Sequence, residues 1–400
     1  MRIAGIIAEY DPFHKGHAAH IAATRAPDGG QATHVIAVMS GSFTQRGEPA
    51  MLSKFTRAEM ALAGGADLVI ELPLPWAMAP AENFANGGIA LLNALGCVDV
   101  VSFGSECGDV DTLRELAALN DNNGFCEKLQ QLSAQGVTYA SAVQTAAAKV
   151  LGNEKASALA SPNNTLGIEY IRAMQRQGAD MDVYTLMRQG ASHNEEVPNN
   201  GIASASYIRN LIHTGEIGTA ICYVPQSTSE WLINAIEAQH APINKERLAV
   251  SLPAILRKMT EEDFAHLPWM SEGLENRFYK ASRTASDYDE LLETVKTKRY
   301  PASRLRRIAW SALIGVRSQD VLGLPPYIRI LAMNRRGREI LSVANPSLPI
   351  LTRPAQLEDL DERSKKMFQL ESIATDLHAL GMPNPLPCGS DYTQKLIVKE

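Results

Sequence analysis

Short apolar runs alternate with amphipathic segments through the N-terminal part of the chain, and this alternation restricts the fold more than any other feature. Arg2–Ala8 (RIAGIIA), Thr33–Met39 (THVIAVM), Asp67–Leu72 (DLVIEL) and Val98–Phe103 (VDVVSF) read as strands. Between them, His17–Arg25, Thr56–Gly64 and Asn83–Leu95 carry helical spacing. Runs without a polar face are buried on both sides, and strands separated by helices return in parallel. Further helix is expected through Asp109–Val150, then a loop and helix over Ser161–Gly178 that stops at Gly178. Met181–Met187 reads as another strand, and Ser204–Thr214 as a helix with a Ser-rich start. Past Ala220 the alternation fades and helical patterns dominate. The expected architecture is therefore an α/β domain with a parallel sheet over residues 1–220, followed by a mostly helical, partly basic domain over 221–400.

A chain of 400 residues suits two such domains, and 45% hydrophobic with 20% charged residues is the balance of an ordinary globular protein. The core is large enough to need no disulfide or metal staple. Cys97, Cys107, Cys126, Cys222 and Cys388 form no CxxC pair and no zinc-type cluster, so they read as reduced thiols and no metal site is expected. The N-terminus meets Glu9 too early for a secretory segment, and no apolar run is long enough to span a bilayer. The expectation is a cytoplasmic protein with no membrane partner. A net charge of -6 means that any contact with nucleic acid must rest on a local basic patch.

The sharpest chemical signal is His14-Lys15-Gly16-His17, directly after the first strand and directly before a helix. Ligands of open α/β sheets bind beyond the carboxyl ends of the strands, where a helix N-terminus offers unpaired N–H groups to a phosphate. Gly16 leaves room for a nucleotide to approach the backbone. His14, His17 and Lys15 are placed to donate to phosphate oxygens as charge builds in a transition state, with no protein nucleophile needed. HxGH by itself is weak; its strand–loop–helix setting, in a Rossmann-like first βα turn, makes it strong. The second signal is Ile202–Arg209 (IASASYIR), where Ser204 and Ser206 suit a helix start and Arg209 supplies charge for outer phosphates. Alone, it is a plain Ser-capped helix. Gln45, Arg46 and Glu48, in the loop after the second strand, suit substrate contacts or a merely solvated loop in equal measure. Gly104 follows the fourth strand, Asn163 and Asn164 sit in SPNN, and Arg188 follows the Met181–Met187 strand. All are placed at the ligand end.

These segments together resemble the tRNA(Met) cytidine acetate ligase family. The resemblance rests on GIIAEYDPFHKGH, MSGSFTQRGEP, FTRAEMAL, DLVIELP, FGSECGD, SPNNTLGIEY, IASASYIR and PPYIRILAMNRRGRE, and it runs in order along nearly the whole chain. It implies a Rossmann-like parallel-sheet nucleotidyltransferase domain followed by a mostly helical domain. It also implies ATP as co-substrate, with Mg2+ accompanying it, acetate activated as acetyl-AMP, and transfer to N4 of the wobble cytidine of elongator tRNA(Met). By that resemblance the ATP contacts fall on Ile7, Ala8, Glu9, Tyr10, Asp11, Pro12, Phe13, His14, Lys15, Gly16, His17, Ala18, Ala19 and His20, and on Gly104, Asn163 and Arg188. The catalytic set is His14, His17, Lys15, Ser204 and Arg209. Two positions depart from the family's pattern: Asp11 stands where Asn is usual, and Asn194 where Asp is usual. Asp11 would add negative charge beside the phosphates.

Two basic clusters, Lys296, Lys298, Arg299, Arg304, Arg306 and Arg307, then Arg329, Arg335, Arg336 and Arg338, are candidate RNA phosphate contacts. Two alternatives remain at this point. One is a nucleotidyltransferase that adenylates a small phosphorylated metabolite, which would not need the helical extension. The other is a non-catalytic RNA-binding protein on the same fold, which the intact His14, His17, Ser204 and Arg209 disfavour.

Overall fold

The computed structural model describes residues 1–135, 138–188, 201–271, 273–297 and 299–400. Five strands are parallel, as the alternation requires: β1 (Ile3–Ala8), β2 (His34–Ser40), β3 (Leu68–Leu72), β4 (Val100–Ser105) and β5 (Asp182–Met187). The order β5-β4-β1-β2-β3 places the first two βα units on one side of β1 and β4–β5 on the other. The strand order therefore reverses at β1, where such sheets open a crevice.

The pleat sends alternate side chains to opposite faces. Ile3 and Ile7 of β1 join Ile36, Val38, Leu68 and Ile70 in one core, against helices Ala81–Ala94 and Pro162–Gln177. Ala4, Ile6, Val35, Ala37, Met39 and Val69 face the other core, against α1 (Lys15–Arg25), α2 (Lys54–Ala63), Ala205–His213 and Gln226–Glu237. Helix Pro162–Gln177 ends where expected, with Gly178 in the left-handed region at φ 60°.

Residues beyond 220 are mostly helical, but they also return to the sheet. Strand β6 (Ile328–Met333) pairs antiparallel with β3, and the short β7 (Ile350–Leu351) and β8 (Ile397–Val398) pair parallel with β6. The join is sealed by buried charge. Lys54 Nζ lies 2.7 Å from both Glu71 and Asp391, and Arg329 Nη1 lies 2.9 and 2.6 Å from the same two carboxylates. Glu371 accepts from the Leu74 amide, and burial beside Glu71 pushes its carboxyl well above the usual carboxylate range. With Glu371 neutral, two cations face two anions, which is how a buried cluster of this kind is tolerated.

Arg329 is therefore not an RNA contact. It is 7% exposed and its guanidinium also covers the Phe368 ring. Arg335, Arg336 and Arg338 are exposed on the helix Arg335–Val343. That helix follows the end of β6 that pairs with Leu68, so it starts at the end of the sheet opposite the β1–β3 carboxyl ends. Among the described residues no helix is long and apolar enough to cross a membrane, and all five cysteines are free thiols.

Candidate functional site

Beyond the carboxyl ends of β1, β2 and β4 lies a cleft of about 1130 Å³. Its floor is the turn from β1 into α1. Tyr10 takes a left-handed φ of 49°, and His14 caps the helix. The cap is reciprocal: the Gly16 amide donates to His14 Nδ1 at 3.0 Å, and the His14 amide donates to His17 Nδ1 at 3.2 Å. The two rings stack at 3.7 Å between centroids.

That cap fixes the chemistry of the pair. With Nδ1 accepting on both rings, the protons sit on Nε2, so each histidine is a neutral imidazole with one N–H left to donate. Burial, reinforced by Arg188 and Arg209, pushes His14 down to about 3. Burial and the His14 ring beside it hold His17 well below its ordinary value. The sequence assigned the space above Gly16 to a nucleotide; the first group a Cβ there would meet is the His14 ring, at 2.9 Å. Gly16 is thus needed for the cap itself.

The expected segment Ile7–His20 divides by role. Ile7, Ala8, Glu9, Tyr10, Asp11, His14, His17 and His20 line the cleft, and Gly16 and Ala19 line a cavity adjoining it. Pro12 and Phe13 are buried beneath it. Ala18 packs against the core, and the Lys15 side chain is exposed, its amide bonded to the Tyr223 carbonyl. His20 Nε2 lies 2.9 Å from Ser102 Oγ on β4. The charge that Asp11 adds is absorbed locally: its carboxylate accepts from the Met51 amide at 2.7 Å and lies 3.5 Å from Arg209. Asn194 lies outside the described residues.

The other motifs converge on the same cleft. Ser204 caps helix Ala205–His213 by accepting from the Tyr207 amide. Arg209 reaches back to the Asp11 carbonyl at 2.6 Å. Arg46 and Arg209 both point at Ser206 Oγ, each at 3.4 Å, so two guanidinium groups meet at one place on the β2 side. Gly104, Asn163 and Arg188 line the β4–β5 side. Asn163 donates to Glu106 at 2.7 Å and lies 3.5 Å from Arg188, whereas Asn164 is fully occupied inside, clamping the Glu106 and Cys107 amides.

Two features of the site were missed in the sequence. Arg57, buried on α2, donates to the carbonyls of Glu9 (2.6 Å), Ser40 (3.0 Å), Leu52 (3.2 Å) and Gly41, tying together the ends of β1 and β2. FTRAEMAL carries no signal for this beyond a cation on a helix. The second is the use made of the Lys296–Arg307 stretch. Arg304 donates to the Trp269 carbonyl, Arg306 to the Arg46 carbonyl at 3.1 Å, and Arg307 to the Gln45 carbonyl at 2.9 Å. These three brace backbone instead of facing RNA; Lys296 and Arg299 are exposed, and Lys298 lies outside the described residues. Gly47 turns the braced loop with φ 70°, where a Cβ would meet the Arg307 amide at 2.5 Å.

Known proteins share this arrangement along the full length. Residues 1–391 match the HIGH Nucleotidyl Transferase family. A tRNA(Met) cytidine acetate ligase of Acetivibrio thermocellus is 37% identical, covering 100% of both chains. One of Thermoanaerobacter sp. is 37% identical over 99% of this chain and 100% of its own. Crystal structures of Thermotoga maritima TmcAL superpose with TM-scores of 0.93 (apo) and 0.92 (bound with alpha-thio ATP). They are 32% and 31% identical, and both cover 100% of this chain and 99% of theirs. A cleft built on HxGH, a parallel sheet reversing at β1 and likeness from end to end lead to one conclusion: the chain belongs to the HIGH nucleotidyltransferases and, among them, to the tRNA(Met) cytidine acetate ligases.

Proposed function

We propose that this enzyme activates acetate with ATP and passes the acetyl group to N4 of the wobble cytidine of elongator tRNA(Met). The observation that carries the reading is the His14–His17 pair, whose Nδ1 atoms are both consumed by the cap, leaving two neutral Nε2–H donors in the cleft. An acetate oxygen attacks the α-phosphorus of ATP, the bond to pyrophosphate breaks, and acetyl-adenylate remains. Charge then grows on the α-phosphate and the leaving pyrophosphate. Donors already fixed in place stabilise it without reorganisation. His14, His17 and the N-terminus of α1 serve the α-phosphate, while Arg46 and Arg209 serve the anionic groups beyond it. Gly104, Asn163 and Arg188 receive the nucleoside, and Mg2+ arrives with the phosphates of ATP. Ser204 acts by setting the start of the helix that carries Arg209. Lys15, exposed, serves only the outer phosphates.

In the second step the cytosine N4 attacks the acyl carbon. The C–N bond forms, the C–O bond to AMP breaks with its electron pair, and the N4 proton passes to solvent. Of the two basic clusters, Lys296, Arg299, Arg335, Arg336 and Arg338 are exposed on the surface and serve as RNA phosphate contacts.

The test is exchange of labelled pyrophosphate into ATP by the purified protein, with and without acetate and total tRNA, followed by a search for acetylcytidine in the tRNA. Exchange that requires acetate is expected. No exchange under any of these conditions would overturn the reading in favour of adenylation of a phosphorylated metabolite.

A further inference from the structure

A second groove, of about 990 Å³, opens off the cleft and meets it at Ser206 and Arg209. One wall is a stripe of helix Ala205–His213: Ser206, Arg209, Asn210 and His213 recur at the three-, four- and seven-residue spacing of a single helical face. The opposite walls are the turn at Glu48 and the start of helix Lys245–Ala249. None of the β4–β5 groups, Gly104, Asn163 or Arg188, reaches it. The cleft therefore has two ends, with the histidine pair between them. One end lies over β4–β5, and the other leads past the paired guanidiniums of Arg46 and Arg209 into this groove.

The two-step chemistry needs such a second end. Once the nucleotide lies along the β4–β5 side, the acceptor has to approach the acyl carbon from elsewhere. The junction at Ser206 and Arg209 is where the groove touches the reacting region. Resting on the function proposed above, we propose that this groove seats the acceptor nucleotide, an amine-bearing pyrimidine turned out of a single-stranded RNA loop. The groups along it match that ligand. The His213 ring offers a stacking face, the Asn210 amide both donates to and accepts from a base edge, and Lys245 offers a cation to the flanking phosphate. The Glu48 carboxylate, held by Arg306 at 3.4 Å, is an acceptor for an exocyclic amine.

Asn210 and His213 are exposed, so truncating either leaves both cores intact. For Asn210→Ala and His213→Ala, two rates are measured on each full-length protein: acetate-dependent pyrophosphate exchange without RNA, and transfer of labelled acetyl to total tRNA. The readout is the ratio of transfer to exchange. It is expected to fall at least about tenfold, the size of losing one base contact. A ratio that stays at the wild-type value in both variants would overturn the placement, whatever happens to the individual rates. If wild-type protein shows no acetate-dependent exchange with or without total tRNA, the function proposed above fails instead, and the two failures are told apart.

Discussion

Arg307 separates two accounts of the basic stretch most sharply. As an RNA contact, it would touch phosphate and nothing in the cleft. In the structure it is 8% exposed and donates Nη1–H to the Gln45 carbonyl at 2.9 Å, while its Nε is buried with no hydrogen-bond partner among the described residues. The turn it holds is already closed by Thr44 and Gly47 amides, so Arg307 sets where the turn sits. That position in turn fixes the Gln45 amide on Glu9 at 2.7 Å and Arg46 beside Ser206. Replacing Arg307 by Met keeps the apolar stem and removes the charged donor. A hydrogen bond from a charged group contributes about 1.5–3 kcal/mol. If that ordering is lost before the transition state, kcat/KM for acetate-dependent exchange falls roughly 10- to 150-fold at about 1.36 kcal/mol per decade. The fold should not suffer in proportion, because the substitution also removes a buried unpaired N–H and a guanidinium that burial pushes down to about 10. The assay is steady-state exchange with ATP and acetate varied separately, beside urea denaturation and tRNA binding across a salt series. Unchanged exchange together with weaker tRNA binding and a salt slope smaller by about 0.7–0.9 would refute the brace and restore the phosphate contact.

Two further predictions concern the buried charges. Lys54→Met leaves two buried carboxylates, Glu71 and Asp391, sharing Arg329 alone and should destabilise by about 3–5 kcal/mol, whereas Glu371→Gln, which mimics an acid that is already neutral, should cost less than about 1 kcal/mol. Equal losses in urea denaturation would mean that Glu371 is ionised. Burial lowers His14 to about 3 and His378 to about 4, below the ordinary 6.5 of the unfolded chain. Both are neutral when folded, so their stability contribution is complete above pH 6.5. It is lost as pH falls through 6.5 towards 4, at roughly 1.2 kcal/mol each between pH 7 and 5.5. His378→Gln should remove about one proton from the pH dependence of unfolding near pH 5.5; a slope identical to wild type would show that His378 is protonated in the fold.

What the sequence reveals and what it hides follow from the range of the interactions. The βα alternation is legible because burial on both faces leaves β1 to β3 almost without polar residues, a local property. His14 and His17 are legible because their ring partners are the Gly16 and His14 amides, two and three residues away, and the cap that orients them is itself a local motif. The cations are the opposite case. Arg57, Lys54, Arg307 and Arg329 each look in sequence like the solvated side of a helix or strand, since charged residues are rarely buried unless paired. Their partners lie far away in the chain: Asp391 for Lys54, Gln45 for Arg307, Glu71 for Arg329. Strand β6 is hidden for the same reason, as its pairing with β3 joins residues about 260 positions apart. Counting the cations of the helical region as one RNA surface therefore overstates it. Arg329 is consumed in closing the sheet, and Arg304, Arg306 and Arg307 are consumed on backbone carbonyls, two of them directly under the cleft. Among the described residues of the two clusters, those exposed are Lys296 and Arg299 and, at the far end of the sheet, Arg335, Arg336 and Arg338. No described cation of either cluster lines the cleft or the groove beside it, so the RNA contacts next to the acceptor nucleotide fall to groups outside both clusters, Lys245 among them.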